Sequence, residues 1–223
     1  MSNQHLKFEQ KELPPTEEEL VIRSRKLLTD KLKRRSIRFF SDKPVPKEVI
    51  EDILMVASSA PSGANKQPWT FCAISNSDLK QKIRKAAEEE EYESYNGRMN
   101  KEWLEDLKKF DTDWHKPFLE TAPWIIIVFK EIFELGEEGT KKQNYYVNES
   151  VGIACGFLIS AIHELGLVAL THTPSPMNFL SELLSRPKNE RPFLLLPIGY
   201  PADDATVPDI KKKTSEEVIN WFE

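Results

Sequence analysis

The chain has 223 residues, 39% of them hydrophobic and 30% charged, with a net charge of −5. That length and balance suit one globular domain with a sizeable core and exclude a disordered chain. The acidic excess counts against a nucleic-acid binder, and with no signal-peptide or membrane-span pattern the expectation is a soluble, cytoplasmic protein.

Residues 1–16 read as a flexible arm, and 17–223 as the main domain. Pro14-Pro15-Thr16 followed by Glu17-Glu18-Glu19 marks a helix start, with Thr16 as cap and acids in the first turn. Leu20, Ile22, Leu27, Leu28 and Leu32 give this helix an apolar side, and it ends in Lys31, Lys33, Arg34 and Arg35. Val45-Pro46 opens a second helix, with Val49, Ile50, Ile53, Leu54 and Ala57 at helical spacing. A loop over Ala60 to Ala64 leads to a strand, Trp69 to Ile74. Ser77 caps a third helix, which runs to about Tyr95 and breaks at Asn96-Gly97. Residues 98–118 are charged and aromatic, with Trp103, Leu107, Phe110 and Trp114 among them, and residues 90–116 read as a lid. Ala122 to Phe129 is a continuous apolar run, hence a strand buried on both faces. Gln143 to Leu165 is a long central helix closed by Gly166. A strand at Leu167 to Thr171, a short helix at Phe179 to Leu184 and a strand at Phe193 to Ile198 follow. The polar tail from about residue 201 to 223 is a C-terminal arm, with an apolar helix near Val218, Ile219, Trp221 and Phe222. Four or five short strands and more helix than strand point to an α+β or three-layer α/β sandwich.

Several clusters carry chemical potential. Arg34, Arg35, Ser36 and Arg38 place three guanidiniums and a hydroxyl just past a helix end. An extended stretch puts Ser36 and Arg38 on one face, able to clamp a phosphate, although alone the run also reads as a solvated basic helix end. Pro61-Ser62-Gly63-Ala64 is either an ordinary turn or a loop whose backbone a ligand can approach. Thr171-His172-Thr173-Pro174 ends a buried strand, where ligands of α/β sheets often bind, or simply closes on itself. Glu91 and Tyr95, four apart on a helix, join Lys116 in supplying an acid, a phenol and an amine. They suit the head group of an amino acid, or form a solvated charged face. Gly152 and Gly156 suit close helix packing, within the domain or between two copies. The two cysteines, Cys72 and Cys155, form no CxxC or zinc pattern and read as buried reduced thiols. GxSxG, HExxH and GxGxxG are all absent, the histidines are scattered, and no metal site is expected.

Arg34-Arg35-Ser36-Ile37-Arg38-Phe39, Ala60-Pro61-Ser62-Gly63-Ala64 and Pro68-Trp69-Thr70-Phe71 together resemble the nitroreductase superfamily. Ile83-Arg84-Lys85 with the Glu88–Glu91 run, Gly166-Leu167-Val168 leading to Thr171, and the stretches Leu196 to Pro201 and Ala205 to Asp209 narrow the resemblance to its halotyrosine-dehalogenating branch. The resemblance covers Arg34 to about Lys213. It implies an α+β three-layer sandwich around a mostly antiparallel sheet, assembled as an intertwined homodimer with FMN in two interface clefts. It implies that Arg34, Arg35, Ser36 and Arg38 bind FMN, that Pro61, Ser62 and Gly63 line its ring, and that Thr171, His172 and Thr173 lie along it. Thr173 is the expected catalytic residue, donating to flavin N5, and Lys212 stands where the family has a phosphate-holding arginine. Lysine keeps the charge but lacks the planar fork. Glu91, Tyr95 and Lys116 are expected to hold the substrate zwitterion, with the Ala64 N–H meeting its phenolate. The implied activity is reductive dehalogenation of halotyrosines, giving tyrosine and halide. Its rivals are a general nitroreductase or quinone reductase using NAD(P)H, and a non-catalytic flavin- or tyrosine-binding protein.

Overall fold

The computed structural model describes residues 6–9, 11–12, 16–136 and 139–223, so the expected arm over 1–16 falls mostly outside the described residues. The chain divides into two compact units, Met1–Arg34 and Arg35–Glu223. The first is built on helix α1, Glu17–Lys33. Thr16 caps it by accepting a hydrogen bond from the Glu19 N–H at 3.1 Å, with three acids in the first turn as the helix dipole favours. None of its residues is buried, and Leu20, Ile22, Leu27, Leu28 and Leu32 are exposed.

The second unit has three layers. Its sheet runs in the order β1-β2-β6-β5, from Trp69–Ile74 (β1), Trp124–Glu131 (β2), Glu190–Gly199 (β6) and Val168–Ala169 (β5), with every strand pair antiparallel. Strand alternation assigns the faces. Ile126, Val128, Leu196 and Ile198 pack with Ile50, Ile53 and Ala57 of α2 (Lys47–Ser58) and Val151, Ala154, Leu158 and Ile162 of α6 (Val147–Glu164). Ile125, Ile127, Phe129 and Leu195 pack instead with Ile83 and Ala87 of α3 (Ser77–Glu93), Phe118 and Leu119 of α5 (Phe118–Thr121), and Leu180 of α7 (Asn178–Leu183). Because β2 is apolar on both faces, it sits between β1 and β6 at the centre.

Element boundaries differ from the sequence reading where side chains compete with the backbone. Asn76, not Ser77, caps α3, its Oδ1 accepting from the Leu79 N–H at 2.8 Å. The helix does not break at Asn96-Gly97 but widens into a π turn, Ser94–Arg98, closed by the Met99 N–H on the Ser94 carbonyl. A short helix α4, Lys101–Lys108, follows. The central helix begins at Val147 rather than Gln143, because Lys141–Gln143 (β4) pairs with Phe133–Leu135 (β3) in a small hairpin absent from the sequence reading. Gly166, with φ +72°, ends it as expected. At the tail, α8 is only Ser215–Val218, and Ile219, Trp221 and Phe222 lie exposed beyond it.

Two features hold the site's walls. Buried Lys80 on α3 donates to the carbonyls of Glu120 and Ala122, each at 2.8 Å, and so fastens α3 to the start of β2. The segment Ser36–Ser41 runs along the far sheet edge, with Ser36 bridging Ala169 in parallel and Phe40 bridging Pro201. That run brings Arg38 to the end of β5, beside the segment after it.

Candidate active site

A cavity of about 440 Å³ opens where α3, its π turn, α4 and the segment after β5 converge. Of the residues singled out from sequence, Arg38, Glu91, Tyr95, Lys116, Thr171, His172 and Thr173 line it. The helical spacing of Glu91 and Tyr95 turns both inward. Lys116 arrives from the segment before α5, oriented by its own backbone N–H, which donates to Glu88 Oε1 at 2.7 Å. Arg84 holds that same oxygen at 2.8 Å, so the charged run on α3 serves as an anchor for Lys116.

Inside the cavity the charges are close and poorly solvated. Lys116 Nζ lies 3.5 Å from Glu91 Oε2, 5.5 Å from the Tyr95 ring centre, and donates to the Asp113 carbonyl. The Tyr95 hydroxyl donates to the Thr112 carbonyl at 3.2 Å. Burial pushes the Glu91 carboxyl above its ordinary range, with Lys116 pulling the other way. Burial likewise lowers the Lys116 ammonium against the attraction of Glu91. Each group thus lacks full compensation and gains from a ligand that brings opposite charge. His172 is buried and held in place by paired backbone hydrogen bonds to Leu195. Burial, then Lys116 and Arg38, drops its imidazole to about 3, so it is neutral.

Arg38 is half-buried, its guanidinium 5.6 Å from the Phe110 ring centre, and makes no ion pair among the described residues. Together with the exposed hydroxyl-bearing Thr171 and Thr173 it forms a donor set suited to a flat ligand rich in acceptors and carrying negative charge. No group of three His, Cys, Asp or Glu residues able to hold a metal occurs among the described residues.

The other expected site residues lie outside this cavity. The Arg35 guanidinium donates to the Pro208 carbonyl, and Ser36 takes part in the sheet edge. Arg34 caps the C-terminus of α1, its N–H on the Lys31 carbonyl at 3.2 Å. Lys212 is exposed. Pro61, Ser62, Gly63 and Ala64 form the turn between α2 and β1, where Ser62 Oγ accepts from the Gln67 N–H at 2.9 Å and Ala64 adopts a left-handed φ of +48°. A Cβ at Gly63 would come within 3.1 Å of the Tyr146 ring.

Sequence reasoning missed several cavity residues. Arg98 lines it, tied to Glu90 at 2.5 Å and to the Ser175 carbonyl at 3.4 Å. The π turn creates that reach, and no helical spacing foretells it. Met99, Trp103 and Leu107 make an apolar wall. Trp103 and Leu107, four apart on α4, were visible as one side of an amphipathic segment, but not which way it faces.

Residues 32–200 match the nitroreductase family, and the chain belongs to it. Within the family it is 63% identical over 186 residues to the iodotyrosine deiodinase of Haliscomenobacter hydrossis, covering 83% of this chain and 84% of that protein. It is 44% identical over 217 residues to iodotyrosine deiodinase 1 of Homo sapiens, covering 97% and 74%. The crystal structure of oxidised iodotyrosine deiodinase bound to FMN and 3-iodo-L-tyrosine aligns with a TM-score of 0.72 at 32% identity, over 88% of this chain and 99% of that one. A nitroreductase-like protein from Streptococcus mutans, 21% identical with a TM-score of 0.66, shares the fold.

Proposed function

We propose that this protein is an FMN-dependent oxidoreductase that removes iodide reductively from iodotyrosine, and accepts other halotyrosines. One observation carries the reading to the level of the site. A partly buried acid, a buried amine and a phenol face a cavity that also presents an uncompensated guanidinium and two threonine hydroxyls. A nitroreductase acting on simple aromatics has no use for the first three. The similarity to iodotyrosine deiodinases over most of the chain supports the same conclusion.

In this reading Glu91 accepts from the substrate ammonium, while Lys116 and Tyr95 donate to its carboxylate. The zwitterion delivers opposite charges to two groups that burial leaves unbalanced. Met99, Trp103 and Leu107 cover the aromatic ring and keep water from it. The segment 90–116 acts as the lid. Overall the carbon–iodine bond breaks, iodide leaves with the bonding pair, and one proton and two electrons enter to form carbon–hydrogen. Bound FMN, once reduced, supplies those electrons. Arg34, Arg35, Ser36, Arg38 and Lys212 would hold the cofactor's phosphate and ring edge, Thr171, His172 and Thr173 would lie along its ring, and the Thr173 hydroxyl would donate a hydrogen bond to it.

Pro61, Ser62, Gly63 and Ala64 complete the site from a second copy of the chain, consistent with their place outside the cavity. The Ala64 N–H then holds the substrate phenolate, which directs electron density onto the carbon that takes the proton. Support for a homodimer comes from α6, where Cβ atoms at Gly152 and Gly156 would meet open space and Ile153 and Phe157 are exposed. The C-terminal arm, from about residue 201, is assigned to the same assembly. The cytoplasm is the proposed compartment, supported by two free cysteines, and no described helix is long and apolar enough to cross a membrane.

The test is turnover of the FMN-loaded protein with dithionite on 3-iodotyrosine, 2-iodophenol and a nitroaromatic. Iodide released from iodotyrosine far faster than from iodophenol supports the reading. Fast nitro reduction with no iodide release from iodotyrosine replaces it with a general nitroreductase.

A further inference from the structure

The His172 side chain sits oddly for a residue whose neighbours are assigned to the cofactor. Its Nε2 is fully buried and has no hydrogen-bond partner, a costly state for a ring nitrogen. It lines the cavity and lies 3.9 Å from Glu91 Oε1, too far for a hydrogen bond. The other carboxylate oxygen, Oε2, faces Lys116. One carboxylate is thus bracketed by two nitrogens, an ammonium and an imidazole. Phe118 meets the imidazole edge-on at 5.6 Å between ring centres and limits how it can turn.

We propose that His172 is a positioning residue for the substrate head group, its neutral Nε2–H closing onto Glu91 Oε1 when the ammonium of the amino acid engages the same carboxylate. The inference rests on the proposed halotyrosine site and deepens it. Hydrogen bonds of binding sites are often long without ligand and tighten when it arrives. The imidazole has to be neutral to serve. A third cation beside Lys116 and Arg38 would repel the incoming ammonium, whereas a neutral N–H fixes the carboxylate and leaves its charge for the ligand. Burial and those two cations keep it so. The partnerless nitrogen then gains its partner only in the bound state, which makes its desolvation a source of selectivity for ligands that recruit Glu91.

The test uses FMN-loaded protein and two ligands, 3-iodotyrosine and 2-iodophenol, titrated by flavin fluorescence. At saturating FMN, His172→Phe should weaken 3-iodotyrosine by about tenfold or more and change 2-iodophenol affinity far less. His172→Gln, which retains an N–H donor, should restore much of that loss. A ring-nitrogen NMR measurement on the unaltered protein should show the Nε2-protonated neutral form from about pH 5 to about pH 8, sharpening with 3-iodotyrosine. Equal 3-iodotyrosine affinity in His172→Phe and the unaltered protein overturns the proposal. So does parallel loss of both ligands in both variants, which would mark a structural role. If His172→Phe fails to fold, His172→Gln and the tautomer measurement decide alone, and an Nδ1-protonated ring sinks the idea. An unaltered protein that binds 2-iodophenol but not 3-iodotyrosine would instead refute the halotyrosine site itself.

Discussion

Acid should destabilise this protein in large part through His172. Its imidazole moves from an ordinary 6.5 to about 3 on folding, chiefly by burial, with Lys116 and Arg38 adding repulsion. The folded-state value is depressed, so below 6.5 the unfolded chain binds a proton that the folded chain refuses. Stability is therefore whole above 6.5 and falls with pH, the loss being complete near 3. The slope is about 1.4 kcal/mol per pH unit, which over the whole window comes to about 5 kcal/mol. That is an upper bound, because local opening around the cavity would let water reach the ring at lower cost. Glu91 works in the opposite sense. Its raised folded-state value means the folded chain keeps a proton above 4.5 that the unfolded chain has lost, so acidification through that range relieves it. Comparison with His172→Gln, which does not titrate, separates the two. Urea unfolding followed at stepped pH should show the unaltered protein losing about 2–3 kcal/mol more than His172→Gln between about pH 6.5 and about pH 4. Parallel pH dependence of the two proteins would refute the reasoning, since it would mean the buried ring is protonated without penalty.

Three further outcomes are expected. Glu91→Gln should raise the Kd for 3-iodotyrosine by about 10- to 100-fold through loss of a charge-assisted contact, and leave 2-iodophenol unaffected, as read by calorimetry. Gly199→Ala should cost about 1–3 kcal/mol in a denaturant titration, because the added Cβ would lie 2.5 Å from Pro123 Cδ and 2.9 Å from its Cγ, on a ring that cannot rotate away. Gly152→Leu fills open space on α6 within one chain, so it should leave the fold intact while producing a monomer that releases FMN on a sizing column. A Gly152→Leu dimer that keeps its flavin would move the interface elsewhere.

The layers were legible because burial leaves a periodic trace. Ile125 to Phe129 alternate between the two cores, and Ile50, Ile53 and Ala57 recur at helical spacing, so the sandwich follows from the pattern. The β3–β4 hairpin was missed because Phe133-Glu134-Leu135 is too short to stand out, and its partner Lys141, Lys142 and Gln143 is exposed with no alternation of apolar residues. The Glu91–Tyr95 spacing was readable from one helix, whereas the approach of Lys116 depends on Glu88 capturing its backbone N–H across 28 positions. Arg98 was invisible because a π turn shifts its register. For the 61–64 turn the residue types were informative, but one chain does not bring it to the cavity, and a second copy is the proposed reason.

The most direct measurement of the central claim is an anaerobic single turnover. Bound flavin is reduced, excess reductant removed, and diiodotyrosine added while flavin absorbance and free iodide are followed together. Oxidation of the flavin with one iodide released per flavin is the expected result. Flavin that stays reduced while the amino acid binds would contradict it.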